Sequence, residues 1–266
     1  MSCMANTSRC IAFCCFLFAF TVIAAKADDI KNVADVKTIS DVEIISIELG
    51  EGIQTADGHG FYAEILSLLL AAPALPAQRT ILPLKRSLLT FSKATAPCIW
   101  PIDKKLLGDL LGAGEELVGS EVLFNSTQRI FTANGQPAIS AFDDLSGRSV
   151  GISIGSNLDG ALNDISAQVS RVPTQDVKLN MLVSKRLFAI VGWLPDLLIA
   201  VNNQQLPPPA FDRSLVLSSS GIGLVCHRTP ATLAFLESFN RRIRDLKTSA
   251  RIKTLAVKYG VSNLFE

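Results

Sequence analysis

The sequence predicts an α/β fold built on mainly parallel sheets. Segments with strand patterning alternate with segments of helical spacing along most of the chain. At 266 residues and 48% hydrophobic content, the chain holds core material for one large domain or two of ordinary size. The charged fraction of 18% is low, and the composition excludes disorder, collagen and coiled coil. Twenty-five basic against 24 acidic groups leave no electrostatic footprint for general nucleic-acid binding, so no nucleic-acid partner is expected. The two histidines, His59 and His227, rule out a His-rich metal site, and no cofactor motif stands out.

Residues 1–27 read as a secretory signal: Arg9 supplies the positive charge, Cys10 to Ala24 the apolar run, and Ala25-Lys26-Ala27 the cleavage pattern. The run is short for a bilayer span. Cleavage before Asp28 removes four of six cysteines and leaves Cys98 and Cys226, which in an exported chain are expected to pair. It also removes Arg9 and Lys26, so the acidic groups come out one ahead.

The elements follow in order. Val42 to Leu49, with Val42, Ile44, Ile45 and Ile47, is an early strand. A Gly-rich patch from Gly50 to Gly60 turns into a helix from Phe61 to Ala72, stopped by Pro73. Thr80 to Leu84 is a strand, Lys85 to Ser92 a helix, and Pro97 to Pro101 a short strand between prolines. Lys104 to Leu111 is helical, and Glu121 to Thr132 is a strand interrupted near Asn125-Ser126. Ser149 to Ile154 is a strand, and Gly155-Ser156-Asn157 opens a helix running towards Gln168. Asp176 to Lys185 is a helix, Phe188 to Trp193 a strand, and Pro195 to Asn202 a helix. Leu215 to Ser219 and Gly221 to Cys226 form a broken strand. Thr229-Pro230 then caps a helix with Leu233, Leu236, Phe239, Ile243 and Leu246 on one face. A last helix ends at Gly260.

Several segments carry candidate chemistry. Gly151-Ile152-Ser153-Ile154-Gly155 matches the nucleophile-elbow pattern, but Ser153 falls inside an alternating strand and the sole downstream histidine is His227. The segment therefore reads as a strand. Gly155, Ser156 and Asn157 end that strand at a helix start, where free amides and a hydroxyl suit an anion such as a carboxylate. Trp193 ends a strand at the sheet edge where ligands of open α/β sheets gather, and it either faces a ligand or packs in the core. Trp100 carries the same two readings. Lys104 and Lys105 are a solvated helix start or a cation facing a cleft, and Asp196 is most simply a first-turn helix carboxylate.

The order of these motifs resembles the family 3 bacterial extracellular solute-binding proteins, the periplasmic components of amino-acid-type ABC importers. The likeness rests on Asp143-Asp144-Leu145-Ser146-Gly147-Arg148-Ser149-Val150-Gly151 with Gly155-Ser156. It rests also on Leu182 to Ile190, and on Phe239-Asn240 through Lys258-Tyr259-Gly260. It implies a two-lobe periplasmic binding protein type II fold with two crossing hinge strands. Lobe 1 would hold residues 28–124 and 215–266, and lobe 2 residues 125–214, which places a Cys98–Cys226 disulfide within lobe 1. By the same resemblance Ser156 stands where the family has a carboxylate-binding Thr, and Lys104 or Lys105 where it has an Arg. Trp193 stands where the family has an amine-binding Asp.

The resemblance implies a binding protein, not an enzyme, that closes on a small polar or anionic solute and serves an ABC permease from the periplasm as a monomer. With Trp193 in place of the acid, the expected ligand is a small acid or a modified amino compound. The expected ligand-binding set is Trp100, Lys104, Lys105, Gly155, Ser156, Asn157 and Trp193. Two other readings share the scaffold: a dehydratase-like enzyme on a small carboxylic acid, using Glu48, Glu51 or Asp103, and a ligand-sensing subunit for a membrane partner.

Overall fold

The computed structural model describes residues 42–71, 75–93 and 97–265. The expected signal segment 1–27 and the helix stop at Pro73 lie outside the described residues.

The chain opens with β1 (Glu43–Glu48), α1 (Phe61–Ala71), β2 (Gln78–Pro83), α2 (Leu84–Ser92), β3 (Cys98–Ile102) and α3 (Lys104–Leu111). It continues through β4 (Leu117–Gly119), β5 (Phe124–Thr132), β6 (Ser149–Ser153), α4 (Asp159–Asp164), β7 (Gln168–Val172) and α5 (Gln175–Val183). It closes with β8 (Ala189–Leu194), α6 (Asp196–Asn203), β9 (Ser218–His227), α7 (Pro230–Thr248) and α8 (Ala250–Lys258).

The strands run in the order β2-β1-β3-β9-β5-β8-β6-β7, with β4 paired to β9 off this path. Within each half of that path the expected parallel pairing holds: β1 lies parallel to β2 and β3, and β6 parallel to β7 and β8. Antiparallel strands join the halves. β9 pairs with β5 through Ser218–Ile222 and with β3 through Gly223–Cys226. The result is a two-lobe α/β fold whose lobes share β9.

Burial explains why β1 and β3 read as nearly continuous apolar runs. All five residues of β3 are buried, as are the four central residues of β1, because helices cover both faces. Between β1 and α1 the chain reverses at Gly60, at φ +109°; a Cβ there would lie 2.7 Å from the Ile53 backbone, so only glycine fits. Cys98 and Cys226 face each other directly across the β3–β9 pair and are joined by the expected disulfide. The largest core cluster is continuous across both lobes, taking in Phe61, Tyr62 and Phe124 together with Leu179, Leu197 and Ile199.

The sequence reading differs from the structure in five elements. The helix expected from Gly155 to Gln168 is only α4, because Ser166 adopts φ +59° and the chain then enters β7. Only Val172 of β7 is fully buried, so this edge strand carries little hydrophobic signal. β5 is continuous through Asn125-Ser126 and β9 through Ser220, because each supplies the other's ladder from Phe124↔Ile222 to Gln128↔Ser218. The three-residue β4 was not anticipated.

Candidate functional site

The carboxyl ends of the parallel strands converge on a cavity of about 280 Å³ lined by both lobes. Ile47 and Ile102 come from β1 and β3, and Ile152, Ser153, Val191 and Trp193 from β6 and β8. Ligands of open α/β sheets collect at this edge. The wall from the first lobe is apolar, formed by Leu84 and Leu88 of α2 and Leu106 and Leu110 of α3. The polar side comes mainly from the second lobe and the shared strands: Ser156 and Asn157, Gln175 and Lys178 of α5, Asp196 of α6, and Gln128 of β5.

Lys178 is the cation of this cleft, at 1% exposure. Its Nζ donates to Ser153 Oγ at 3.0 Å and to the Val191 carbonyl at 2.7 Å, tying α5 to the ends of β6 and β8. An ammonium has three N–H donors, and among the described residues no third acceptor reaches it. Burial disfavours the charged form and brings its pKa from 10.5 down to about 7, with the negative charge of Asp196 opposing the shift.

Asp196 responds in the opposite sense. Burial raises its pKa from 3.8 to about 6, against the Tyr62 hydrogen bond and the Lys178 charge. The Tyr62 hydroxyl donates to Asp196 Oδ1 at 2.7 Å, and burial beside that acid pushes the phenol well above its ordinary value. Gln175 is equally enclosed, at 3% exposure, and its Oε1 has no hydrogen-bond partner among the described residues.

Of the residues expected from sequence, Gly155, Ser156, Asn157 and Trp193 line the cavity, and Trp100, Lys104 and Lys105 do not. Trp100 sits on fully buried β3; its ring packs edge-on against Tyr62 and Phe239, and its indole N–H donates to the Tyr62 carbonyl at 3.2 Å. Lys104 and Lys105 start α3 on its exposed side, where Lys105 pairs with Asp109 at 2.6 Å. The Lys104 stem lies instead along β4, where a Cβ at Gly119 would meet it at 3.2 Å.

The Gly155 loop also departs from the expected helix start. α4 begins three residues after Ser156, and the Ser156 hydroxyl accepts from the Leu158 N–H at 3.3 Å. Gly155, at φ +94°, lies beside the start of α2, where a Cβ would meet Leu84 Cγ at an ordinary contact distance of 3.5 Å.

The acids considered for an enzymatic role fare differently. Glu48 and Glu51 are not among the cavity residues. Asp103 lines it, but its Oδ1 accepts from Leu106 N–H at 2.8 Å as the α3 cap and its Oδ2 from Gly221 N–H at 2.7 Å. Both oxygens are held by the backbone.

Lys178, Gln175 and the cleft role of Asp196 were missed. A signal for the first two was present: Gln175, Lys178, Leu179 and Leu182 fall at i, i+3, i+4 and i+7, all buried. A lysine on an otherwise apolar helix stripe marks a charge that must be held by something inside. Asp196 gave no such signal, because a first-turn carboxylate is common at helix starts.

No protein-family model matches the chain, and no curated protein sequence matches it. Solved structures do match. The GluR0 ligand-binding core from Nostoc punctiforme, in complex with L-glutamate, aligns with a TM-score of 0.66 at 16% identity over 83% of this chain and 99% of that one. A histidine kinase sensor domain with similarity to periplasmic binding proteins aligns at 0.65 and 13% identity, over 82% of this chain and 95% of that one. The substrate binding protein of an amino acid ABC transporter aligns at 0.63 and 15% identity, over 82% and 98%. At these identities the likeness is one of fold, and it places the chain in the two-lobe architecture of periplasmic binding proteins.

Proposed function

We propose that this chain is a periplasmic solute-binding protein that closes its two lobes on a small molecule carrying an anionic group and delivers it to an ABC-type importer. The observation that carries this reading is the cavity at the strand ends, lined by both lobes and furnished with a buried lysine. Sites of this kind lie between domains and answer ligand by hinge closure. The fold neighbours support it: one is bound to L-glutamate, and another is the substrate binding protein of an amino acid transporter. The proposal takes residues 28–124 and 215–266 as one lobe and 125–214 as the other. It takes Ser156, Asn157 and the Gly155 backbone as polar contacts and Trp193 as an apolar face for the ligand. Small-angle scattering on protein stripped of copurified small molecules tests it. Compaction on adding back the copurified molecule, identified by mass spectrometry, is the expected result. No compaction with any molecule that raises the melting temperature overturns it.

The enzyme reading keeps one specific observation in its favour: Lys178 and Asp196, both buried in the cleft, have pKa values displaced towards neutrality. Turnover of the copurified molecule, lost on Asp196→Asn, is the result that selects it over binding alone.

A further inference from the structure

The cavity is divided by chemistry in a way the fold does not require. One side is a leucine wall from α2 and α3, Leu84, Leu88, Leu106 and Leu110. Opposite it, α5 and α6 bring Lys178, Gln175 and Asp196 to the same cavity. Two of these groups are incomplete: Lys178 retains one N–H without an acceptor, and Gln175 Oε1 has no donor among the described residues. A buried polar atom left without a partner is costly, so a ligand that seats here is favoured when it supplies an acceptor to the first and a donor to the second. The space of about 280 Å³ stands at the small end of the roughly 300–1,000 Å³ of ligand sites, which suits a small ligand.

Resting on the binding reading above, we propose that the ligand is a small carboxylate with a hydrogen-bond donor on the neighbouring carbon and an apolar body. The carboxylate takes the free N–H of Lys178, the adjacent hydroxyl or ammonium donates to Gln175 Oε1, and the body lies on the leucine wall. A charged or strongly polar body is disfavoured because the four leucines offer it no hydrogen bonds in exchange for water, and Asp103 beside them already has both carboxylate oxygens held by backbone N–H groups. Trp193 adds a further apolar face. The shared chemistry covers 2-hydroxy acids and 2-amino acids with branched or aromatic side chains. Asp196 is the group that separates them, since a carboxylate in reach of the donor favours an ammonium.

The test is calorimetry on ligand-stripped full-length protein with six named probes. L-2-Hydroxy-4-methylpentanoate and L-leucine carry the whole pattern. 4-Methylpentanoate lacks the donor, 4-methylpentanamide lacks the charge, and L-glutamate and L-arginine carry polar bodies. One or both of the first two are expected to bind tightest, with the hydroxy acid or the amino acid leading according to the role of Asp196. Lys178→Met is expected to weaken that leading probe about 10- to 100-fold, the range for a hydrogen bond to a charged group. Gln175→Leu is expected to weaken the leading probe while leaving 4-methylpentanoate unchanged. Leu106→Asp, on the leucine wall, is expected to remove binding of the hydroxy acid and of L-leucine even where Lys178→Met does not fold. Tighter binding of L-glutamate or L-arginine than of either leading probe overturns this proposal and leaves solute binding standing. Leading-probe affinity unchanged by Lys178→Met does the same. If no probe binds and the stripped protein recovers no copurified molecule, the failure is that of the binding reading itself.

Discussion

The Tyr62 hydroxyl donates a 2.7 Å hydrogen bond to Asp196 Oδ1, joining α1 of one lobe to the first turn of α6 in the other. Both side chains are buried, at 1% and 5% exposure, and Asp196 also lines the ligand cavity. The bond therefore ties α1 to α6 at the wall of the cavity. Nearby, the Gln175 N–H donates to the Leu49 carbonyl at 3.2 Å, a second polar tie between the lobes.

Tyr62→Phe removes the donor and leaves a buried carboxylate with one fewer partner. The expected cost is about 1–3 kcal/mol in unfolding free energy, from a group stranded away from water. The same substitution is expected to shift the ligand-free protein towards an open form, because a closed cleft then holds an undersatisfied acid. A lower denaturation midpoint together with a larger radius of gyration confirms this. An unchanged radius of gyration removes Tyr62 from the closure mechanism.

The pH dependence of stability follows from Lys178 and Asp196. Lys178 has a folded pKa of about 7 against 10.5 when unfolded, so between those values the unfolded chain binds more protons and stability rises with pH. Its contribution is present above 10.5 and is lost as pH falls through 7. Asp196 has a folded pKa of about 6 against 3.8, so from 3.8 to 6 the folded state binds more protons and stability falls as pH rises. From these two groups, stability dips between pH 6 and 7. Lys178→Met is expected to flatten the rise above pH 7, measured by urea unfolding across pH 6–10. A rise identical to the wild type assigns it to other groups.

Ligand binding couples to the same lysine. An anion held by Lys178 favours its charged form, so binding at pH 8 is expected to draw up to one proton from solution. Calorimetry of one ligand in two buffers of different ionisation enthalpy measures this directly. Equal heats in both buffers at pH 8 mean the anion is held elsewhere.

The surface lysines give a contrasting prediction. Lys104 and Lys105 stand on the exposed side of α3, outside the cavity, and Lys105 is engaged with Asp109. Lys104→Ala and Lys105→Ala, singly and together, are expected to leave ligand affinity within twofold of the wild type. A tenfold loss in calorimetry restores the cleft role that their position in the chain first suggested.

Much of the α/β alternation was legible because helices and central strands carry their burial in their own apolar spacing. α7 shows this with Leu236, Phe239, Ile243 and Leu246, and so do the buried strands β1 and β3. What failed was set by partners distant in sequence. Asn125 and Ser126 look like a break until Gly221 and Ser220 are seen opposite them, and β7 shows little burial because it lies at the edge of the path. The site divided the same way. Gly155, Ser156, Asn157 and Trp193 line the cavity because strand ends at a sheet edge are where such folds open a cleft. Lys104 and Lys105 lie outside the cavity; the lysine that lines it is Lys178, which the sequence pattern did not single out because charge in a sequence is read by default as surface. The buried Lys178 is held by hydrogen bonds that its Nζ donates to the Ser153 hydroxyl and the Val191 carbonyl.

The Cys98–Cys226 disulfide closes a loop of 128 residues and bonds directly opposed positions of β3 and β9. In the chain-entropy account, closing so long a loop restricts the unfolded chain and contributes about 5 kcal/mol. Both cysteines are fully buried in the core cluster that also holds Trp100 and Phe239, away from the cavity. Replacing the pair, Cys98→Ala with Cys226→Ala, is therefore expected to lower stability by about that amount while leaving ligand affinity near the wild-type value. Urea unfolding gives the first quantity and calorimetry the second, and thiol labelling of the native protein is expected to find neither cysteine free. Two reactive thiols in the native protein refute the bond. A loss of affinity larger than the loss of stability explains would mean that β9, the strand shared by both lobes, transmits the bond's restraint to the cleft.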